Sequence, residues 1–289
     1  MSIVYLNGRL LPIDQATVSV LDRGFIYGDG VYELIPVYQR QPYRMAQHLA
    51  RLQHSLDRIR LPNPHSAAEW EAIVHSVVEQ QPFDNQGVYF QVTRGVARRD
   101  HTFPKDVPAT VFMMSNPLAT PSAAVVAGGV ACVTAIDDRW KNCDIKSISL
   151  LGNVLMRQFA ADNDAVETVM FRDGLLTEAS ASNVLIVSNG SVIAPPKDNL
   201  ILPGITYGAV FDLAQQGNIP FEMRPVRESE VWTADELWLT SSTKEVLAIT
   251  TLDGRAVGHA AHAGRPGPVF HKMFALFQAS KTNIRTLLP

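Results

Sequence analysis

Cysteine is nearly absent from this sequence. Only Cys132 and Cys143 occur among 289 residues, so we expect neither a disulfide framework nor a zinc site built on cysteine ligands. The chain also lacks an excess of either charge, because 25 basic residues against 28 acidic ones give a net charge of −3. This balance argues against nucleic acid or an anionic membrane as the main partner.

We expect neither a targeting segment nor a membrane-spanning segment. The N-terminus has no basic stretch followed by an apolar core, which a secretory signal would show. The longest apolar run, 123–136, contains Gly128, Gly129 and Thr134 and is shorter than the ~18 residues that a membrane-spanning helix needs. We therefore expect a cytoplasmic protein with no membrane partner.

The common nucleotide-binding and hydrolase motifs are absent too. The G-D-G sequence at 28–30 lacks the third glycine of a dinucleotide fingerprint, and no P-loop, G-x-S-x-G or H-E-x-x-H sequence occurs. His48 and His54 lie six residues apart on a predicted helix, so they point to different faces. We interpret this pair as surface residues, and we expect no metal site.

The amino-acid composition is that of a folded protein. Hydrophobic residues make up 46% and charged residues 18% of the chain, and its length is typical of about two domains. The segment 117–122 carries Pro117 and Pro121 among small residues and is the best candidate for a linker. We therefore predict an N-terminal domain over 1–116 and a C-terminal domain over 123–289.

Hydrophobic spacing predicts a mixture of helices and strands, which is an α+β fold. Apolar residues three and four positions apart favour helices over 46–59, 67–79, 150–161 and 206–216. Runs of β-branched and aromatic residues favour strands. Those strands are predicted over 3–6, 30–38, 88–94, 110–115, 123–136, 168–171, 183–187, 191–194 and 236–240.

Two charged residues stand in unusual surroundings. Lys146 lies between Ile145 and Ile148, and a lysine that enters an apolar pocket becomes a usable nucleophile or base. Glu178 lies among small residues shortly before a predicted strand, where a carboxylate can face a cleft. Taken singly, a lysine at a helix start and an acid in a surface turn are the more ordinary interpretations.

Three further segments can bind anions. Segment 200–206 opens a predicted helix, whose free backbone N–H groups suit a phosphate. Segment 240–245 is a hydroxyl-rich turn after a strand, and 94–101 is a loop with three arginines and one histidine that could hold a carboxylate. Helix capping, a common turn and a solvated basic loop are the ordinary alternatives for these three segments.

Together and in this order, the five segments resemble the fold-type IV pyridoxal-phosphate enzymes. That family includes D-amino acid aminotransferases, branched-chain aminotransferases and aminodeoxychorismate lyases. The resemblance begins with D-R-G-F-I-Y-G-D-G-V-Y-E at 22–33, continues through H-L-A-R-L at 48–52, and extends to the turn at 240–245. It implies a two-domain enzyme with pyridoxal 5′-phosphate in the cleft between the domains.

The resemblance also implies a role for individual residues. Lys146 matches the catalytic lysine that bonds covalently to the cofactor, and Glu178 matches the carboxylate paired with the pyridine nitrogen. Arg51 matches the arginine that binds the phosphate. The remaining cofactor-binding positions are Leu202 against the ring, and Ile205, Thr206, Ser241 and Ser242 around the phosphate.

Within the family, the arginine loop resembles that of the D-amino acid aminotransferases. Arg99, His101 and Tyr32 match the residues that bind the substrate α-carboxylate there. Because that loop reaches in from the neighbouring subunit, the resemblance implies a homodimer. The expected reaction is ping-pong transamination between a D-amino acid, such as D-alanine or D-glutamate, and a 2-oxo acid such as 2-oxoglutarate.

Several positions depart from the family pattern. Ala181 stands where many members have a hydroxyl residue or glycine. Tyr207 comes directly after Ile205 and Thr206, at a position where many members have an arginine. Asp100 brings a negative charge into the carboxylate-binding loop, so its side chain must point away, and Arg98 adds a second cation. These departures bear on substrate preference and leave the expected cofactor unchanged.

Three alternatives to this function remain. Two are a branched-chain L-amino acid aminotransferase and an aminodeoxychorismate lyase, which share the cofactor site but differ in the substrate loop. The third is an inactive small-molecule binder, against which the presence of Lys146 and Glu178 argues.

Overall fold

An antiparallel sheet is the framework of the first of two units in the chain. The computed structural model describes residues 2–259 and 262–282. The first unit comprises Met1–Leu118 and Ile145–Leu150, and the second Ala119–Asp144 and Leu151–Pro289. The first unit's elements are β1 (Ile3–Leu6), β2 (Arg9–Pro12), α1 (Arg23–Tyr27), β3 (Gly30–Tyr38), β4 (Gln41–Pro42), α2 (Met45–Arg58), α3 (Ala67–Glu79), β5 (Gln86–Thr93) and β6 (Thr110–Pro117). The strands lie in the order β2-β1-β6-β5-β3-β4.

Two helices complete the core of the first unit. Helices α2 and α3 lie at the predicted positions, 46–59 and 67–79, to within one residue. Helix α3 begins with a capping box, in which the Glu69 backbone N–H donates to Ser66 and the Ser66 backbone N–H donates to Glu69. The buried cluster includes Leu49, Leu52 and Leu56 of α2, Trp70, Val74 and Val77 of α3, and Val31, Ile35 and Phe90 of the sheet.

The second unit is built on a larger, mixed sheet. Its elements are α4 (Ala123–Gly128), β7 (Val130–Ile136), α5 (Leu151–Asp162), β8 (Glu167–Arg172), β9 (Leu175–Ala179), β10 (Asn183–Ser188), β11 (Ser191–Ala194), α6 (Ile205–Gln216), β12 (Phe221–Met223), α7 (Glu228–Trp232), β13 (Glu236–Ser241), β14 (Glu245–Leu252), β15 (Arg255–Ala256) and α8 (Pro268–Thr282). Within the described ranges, nine strands form this sheet, in the order β12-β11-β10-β13-β14-β7-β8-β9 with β15 on β14.

Two sequence-based expectations about this part of the chain need correction. The run 123–136 is expected to be one strand, but the Ser122 hydroxyl caps helix α4, and strand β7 begins only after Gly129. Gly129 has φ +68°, and a side chain there would collide with Thr250, so the chain turns at a position that only glycine suits. Residues 145–150 also belong to the first unit, whereas the predicted boundaries place them in the C-terminal domain.

The structure describes the two cysteines, the groups that could bind metal and the lengths of the helices. Cys132 and Cys143 are both free thiols and both buried. No group of three or more histidine, cysteine, aspartate or glutamate side chains is placed to hold a metal ion in 2–259 and 262–282. Over the same ranges, no helix is both long and apolar enough to cross a membrane.

Replacing Leu52 should destabilise the first unit. Leu52 is fully buried in its core, and Leu52→Ala would leave a cavity that costs about 2–5 kcal/mol of unfolding free energy. Gln47→Ala, on the exposed face of the same helix, should change the unfolding free energy by less than ~0.5 kcal/mol. Urea unfolding of both variants measures the difference, and equal losses would contradict the assigned core.

Candidate active site

The Lys146 segment extends strand β3 of the first unit. The Tyr32 backbone N–H donates to the Lys146 carbonyl at 2.9 Å, and the Ile148 N–H donates to Gly30 at 3.1 Å. The Lys146 N–H donates to the Ser55 hydroxyl on α2 at 3.2 Å. These bonds fix the backbone on both sides of the lysine, and its Nζ lies 4.1 Å from the centroid of the Tyr32 ring. Two residues predicted for the site are thus neighbours.

Arg51 is held by a buried carboxylate that sequence reasoning did not single out. Its Nε and Nη2 donate to the two oxygens of Glu33 at 2.7 and 2.9 Å, a bidentate geometry that fixes the guanidinium plane. Burial alone would favour a protonated Glu33, but the Arg51 and His48 side chains hold the pKa of Glu33 well below its usual range. Glu33 therefore stays charged and orients the predicted phosphate-binding arginine.

His48 completes this arrangement and corrects an expectation. The sequence suggests a surface residue, yet His48 is fully buried, and its Nδ1 lies 2.8 Å from Glu33. Burial lowers the pKa of His48, because it outweighs the opposing effect of Glu33. Its Nε2 is buried without a hydrogen-bond partner among the described residues. The sequence does contain a sign that His48 is buried, because His48, Leu52 and Leu56 are four residues apart and so share one face of the helix.

Arg99 and His101 lie in the exposed loop between β5 and β6. No contact joins either side chain to Tyr32 or Lys146 within the described part of this chain, so the structure does not assemble the predicted trio. Asp100 turns its carboxylate onto Thr102, whose backbone N–H and hydroxyl both donate to it at 2.9 Å. Its negative charge is therefore engaged within its own turn.

Glu178 is the centre of the candidate site in the second unit. It lies in β9 and is buried, and Arg139 donates to its Oε1 at 2.7 Å. The Leu202 backbone N–H and the Asn183 amide donate to Oε2 at 3.0 and 3.2 Å. Burial raises the pKa of Glu178 to about 7, in spite of Arg139 and these hydrogen bonds. The carboxylate is thus poised between its charged and neutral forms near neutral pH.

Arg139 is a residue that sequence reasoning missed. Its Nη2 and Nε each lie 2.9 Å from the carboxylate of Asp137, and Asp137 also accepts a hydrogen bond from Thr177 at 2.8 Å. Although burial disfavours a charged guanidinium, Asp137 and Glu178 raise the pKa of Arg139. No motif surrounds Arg139 in the sequence, because its contact with Glu178 spans 39 positions.

The start of helix α6 lies close to Glu178. Asn183 donates to Glu178 and also to the Leu202 carbonyl at 2.8 Å. Gly204 is the N-cap, and a side chain there would collide with Asn183. No side chain caps this helix, so the first backbone N–H groups, at Ile205 and Thr206, have no acceptor within it. Such a helix end binds anions readily.

The predicted second phosphate turn follows strand β13. Its last residues pair with β10, so that Thr240 lies directly opposite Asn183. The Thr240 hydroxyl is buried without a hydrogen-bond partner among the described residues, a feature that sequence reasoning did not anticipate. Ser241 accepts a hydrogen bond from the Lys244 backbone N–H at 3.1 Å, and Ser241 and Ser242 are both partly exposed.

These groups fit pyridoxal phosphate as a set of donors and acceptors. An uncapped helix end and nearby hydroxyl groups suit a phosphate, and the unpartnered Thr240 hydroxyl is one further polar atom beside them. A buried carboxylate with a raised pKa, Glu178, suits the ring nitrogen as its acceptor. Lys146, in the first unit, has the amine that the predicted covalent link to the cofactor requires.

Comparison with known proteins decides the family. The amino-transferase class IV family matches residues 30–252 of this chain. The chain belongs to the class IV aminotransferases. A D-alanine aminotransferase from Bacillus licheniformis is 36% identical over 277 residues, which cover 96% of each chain. One from Staphylococcus haemolyticus is 33% identical over 94% of this chain and 95% of that protein.

Solved structures show the same fold. A branched-chain aminotransferase from the archaeon Thermoproteus uzoniensis, solved with norvaline, has a TM-score of 0.86 at 24% identity, covering 96% of this chain and 94% of that one. Another branched-chain amino acid aminotransferase, solved with pyridoxamine 5′-phosphate, has a TM-score of 0.90 at 22% identity, covering 98% of this chain and 95% of that one.

The comparisons confirm several expectations drawn from the sequence. The α+β fold of the fold-type IV enzymes is confirmed, and so is an aminotransferase that uses pyridoxal 5′-phosphate. The substrates are accordingly an amino acid and a 2-oxo acid. The roles of the individual site residues stay predictions.

The raised pKa of Glu178 should make the cofactor-free protein less stable as pH rises. The unfolded carboxyl has a pKa of about 4.3, so the native state binds the proton more tightly and loses stability between pH ~4 and ~7. Glu178→Gln removes this titration, so its unfolding free energy relative to wild type should increase by roughly 2–3 kcal/mol from pH 5 to pH 8.

Urea unfolding of the cofactor-free proteins at both pH values measures this difference. Glu71→Gln is the matched control, because it neutralises an exposed acid on α3. If Glu178→Gln and wild type lost stability in parallel across this range, the carboxyl would not be poised as described.

Proposed function

We propose that this protein catalyses ping-pong transamination between a D-amino acid of the D-alanine or D-glutamate type and a 2-oxo acid such as 2-oxoglutarate. The observation that carries the proposal is a Lys146 amine beside Tyr32 in a chain that also bears Arg99 and His101 on one loop. The relatives named D-alanine aminotransferase support it, since they match nearly the whole chain.

In this proposal Lys146 and Glu178 both serve the cofactor. When bound, pyridoxal phosphate supplies an electron sink for negative charge that develops at the substrate Cα. The Lys146 amine would take the proton from Cα as a general base and then donate it to the carbon of the cofactor as a general acid. The Glu178 carboxylate would accept a hydrogen bond from the ring N–H and so hold that proton in place. Leu202 would hold the face of the ring.

Arg51 and the start of α6 hold the phosphate. Arg51 presents a guanidinium whose plane is already fixed by Glu33. The backbone N–H groups of Ile205 and Thr206 add hydrogen bonds and the positive end of the helix dipole. The hydroxyl groups of Ser241 and Ser242 complete this set.

In this proposal Tyr32 binds the substrate α-carboxylate together with Arg99 and His101, which the loop of the neighbouring subunit contributes, as the family resemblance implies. A carboxylate fixed at one point determines which face of Cα meets Lys146, and hence the chirality of the substrate. The branched-chain enzymes among the structural relatives are 22% and 24% identical to this chain and share its fold. One fold can serve both enzymes for D-amino acids and enzymes for L-amino acids. They give no reason to prefer L-amino acids for this chain.

A panel of amino donors tests the reaction. With 2-oxoglutarate as acceptor, D-alanine should serve as a donor, whereas L-alanine, L-glutamate and L-leucine should not. The product 2-oxo acid and the newly formed amino acid are measured by chiral chromatography. Preference for L-leucine would favour a branched-chain enzyme, and release of pyruvate from aminodeoxychorismate would favour the lyase.

Lysine variants added to this panel test the catalytic residue. Lys146→Ala should abolish transamination and the absorption of the covalently bound cofactor. Lys141→Ala is the matched control, because its exposed side chain lies five residues away, and it should keep both. A Lys146→Ala protein that retained both properties would contradict the role assigned to this residue.

We further propose that the protein is a homodimer that uses the outer face of helix α5. Leu151, Val154, Leu155 and Phe159 follow one helical face and are between 42% and 72% exposed. A contiguous apolar surface of this kind marks a protein contact, and a second copy of the chain is the partner that the family resemblance implies.

A charge placed on this face should prevent dimerisation. Leu155→Glu would bury an unpaired carboxylate in the contact, which costs several kcal/mol of association free energy. Gln215→Glu, at an exposed position of α6, is the matched control and should remain a dimer. Sedimentation equilibrium gives the mass of each variant, and a dimeric Leu155→Glu protein would exclude this surface.

A further inference from the structure

Tyr27 contacts both of the loop residues expected to bind the substrate carboxylate. The Arg99 guanidinium carbon is 5.5 Å from the centroid of its ring, within the range of a cation–π contact. The His101 ring centroid is 5.4 Å from that of Tyr27, with the two planes at 45°. Both side chains are otherwise exposed, so Tyr27 is the ring against which they rest.

Arg23 fixes Tyr27 from within its own helix. Its guanidinium carbon lies 4.8 Å from the centroid of the Tyr27 ring, and its Nε donates to Asp29 at 2.8 Å. Its Nη1 donates to the carbonyl of Asp100 at 2.6 Å, between Arg99 and His101 in the chain. Arg23 is itself buried. One arginine thus joins the tyrosine to the backbone of the loop.

A second arginine holds the loop a few residues further on. Arg94 Nε donates to the same carboxylate of Asp29 at 2.9 Å. Its guanidinium carbon lies 3.7 Å from the centroid of Phe103, and its remaining nitrogens donate to the carbonyls of Ile59 and Arg60. Asp29 therefore bridges the two arginines. Each arginine in turn contacts the loop that carries Arg99 and His101, Arg23 at the Asp100 carbonyl and Arg94 at the Phe103 ring.

We propose that Tyr27 is a positioning residue for carboxylate recognition, which it serves by holding Arg99 and His101 in their binding conformation. This inference rests on the proposed function, which assigns the carboxylate to those two residues. A long arginine side chain loses rotamer entropy when it binds a ligand. An aromatic ring that restricts the side chain beforehand reduces that loss and so strengthens binding.

The Tyr27 ring, rather than its hydroxyl, carries this role. The hydroxyl is buried and has no hydrogen-bond partner among the described residues. Tyr27→Phe therefore keeps both ring contacts. Tyr27→Leu removes them but keeps a branched apolar side chain at this position. The comparison of these two variants separates positioning by the ring from general packing.

The holoenzyme half-reaction with D-alanine is the first measurement. Its rate, followed by the cofactor absorption at increasing D-alanine, gives an apparent Kd and a limiting rate. Tyr27→Leu should raise the apparent Kd about five- to tenfold while the limiting rate stays within about twofold, and Tyr27→Phe should restore the wild-type Kd. A structural defect would lower the limiting rate or the cofactor content instead.

Propionate binding, measured by calorimetry on the same holoenzymes, is the second measurement and needs no turnover. Tyr27→Leu should weaken it by a similar factor. Trp232→Leu is the matched control, because it removes a comparable contact, with Arg255 at 5.2 Å, from the second unit. Its apparent Kd values should equal those of wild type.

The outcomes separate this inference from the proposed function. If Tyr27→Leu weakens propionate binding but wild type does not react with D-alanine, the proposed substrate is wrong and the positioning role stands. If wild type reacts with D-alanine and Tyr27→Leu leaves both Kd values unchanged, the positioning role is wrong. Equal losses in Tyr27→Phe and Tyr27→Leu would also overturn it, since the ring would then not be the cause.

Discussion

The candidate site depends on one constraint: a buried carboxylate needs a partner for each of its oxygens. An unpaired charge in the interior is very costly, so each acid dictates the groups around it. Glu33 accepts hydrogen bonds from Arg51 and contacts His48 Nδ1, and it thereby fixes a guanidinium that belongs to the predicted phosphate site. Glu178 accepts hydrogen bonds from Arg139 and from the Leu202 backbone N–H, and it thereby fixes the segment that precedes helix α6.

A third buried acid ties two predicted parts of the second unit together. Glu167 accepts hydrogen bonds from Ser180 and Ser182, in the turn that follows Glu178, and it forms an ion pair with Lys244 at 2.7 Å. The Lys244 backbone N–H also donates to the hydroxyl of Ser241. The turn after Glu178 and the predicted second phosphate turn are therefore held by one carboxylate, so that neither can shift without leaving a charge unpaired.

How far the sequence predicts this architecture depends on the distance over which each signal acts. Helices α2 and α3 are predicted closely because their hydrophobic spacing is local. Helix α4 is missed because a single serine cap and a glycine at positive φ decide it against β-branched neighbours. Arg139 and Tyr27 act on residues 39 and more than 70 positions away, and no pattern within a sequence window records such a contact.

The order of the motifs, by contrast, identifies the family because those motifs are spread over the whole chain. It also points to Glu178, but it does not indicate whether that carboxyl is charged. The structure adds that state. Burial raises the pKa of Glu178 to about 7 even beside Arg139, so the cofactor-free fold carries the cost of a carboxylate that is poorly compensated above neutral pH. A protonated ring nitrogen against this carboxylate would supply the missing positive charge and lower its pKa again. Cofactor binding and the ionisation of Glu178 are then thermodynamically linked, so the acid that weakens the empty site would favour its occupation.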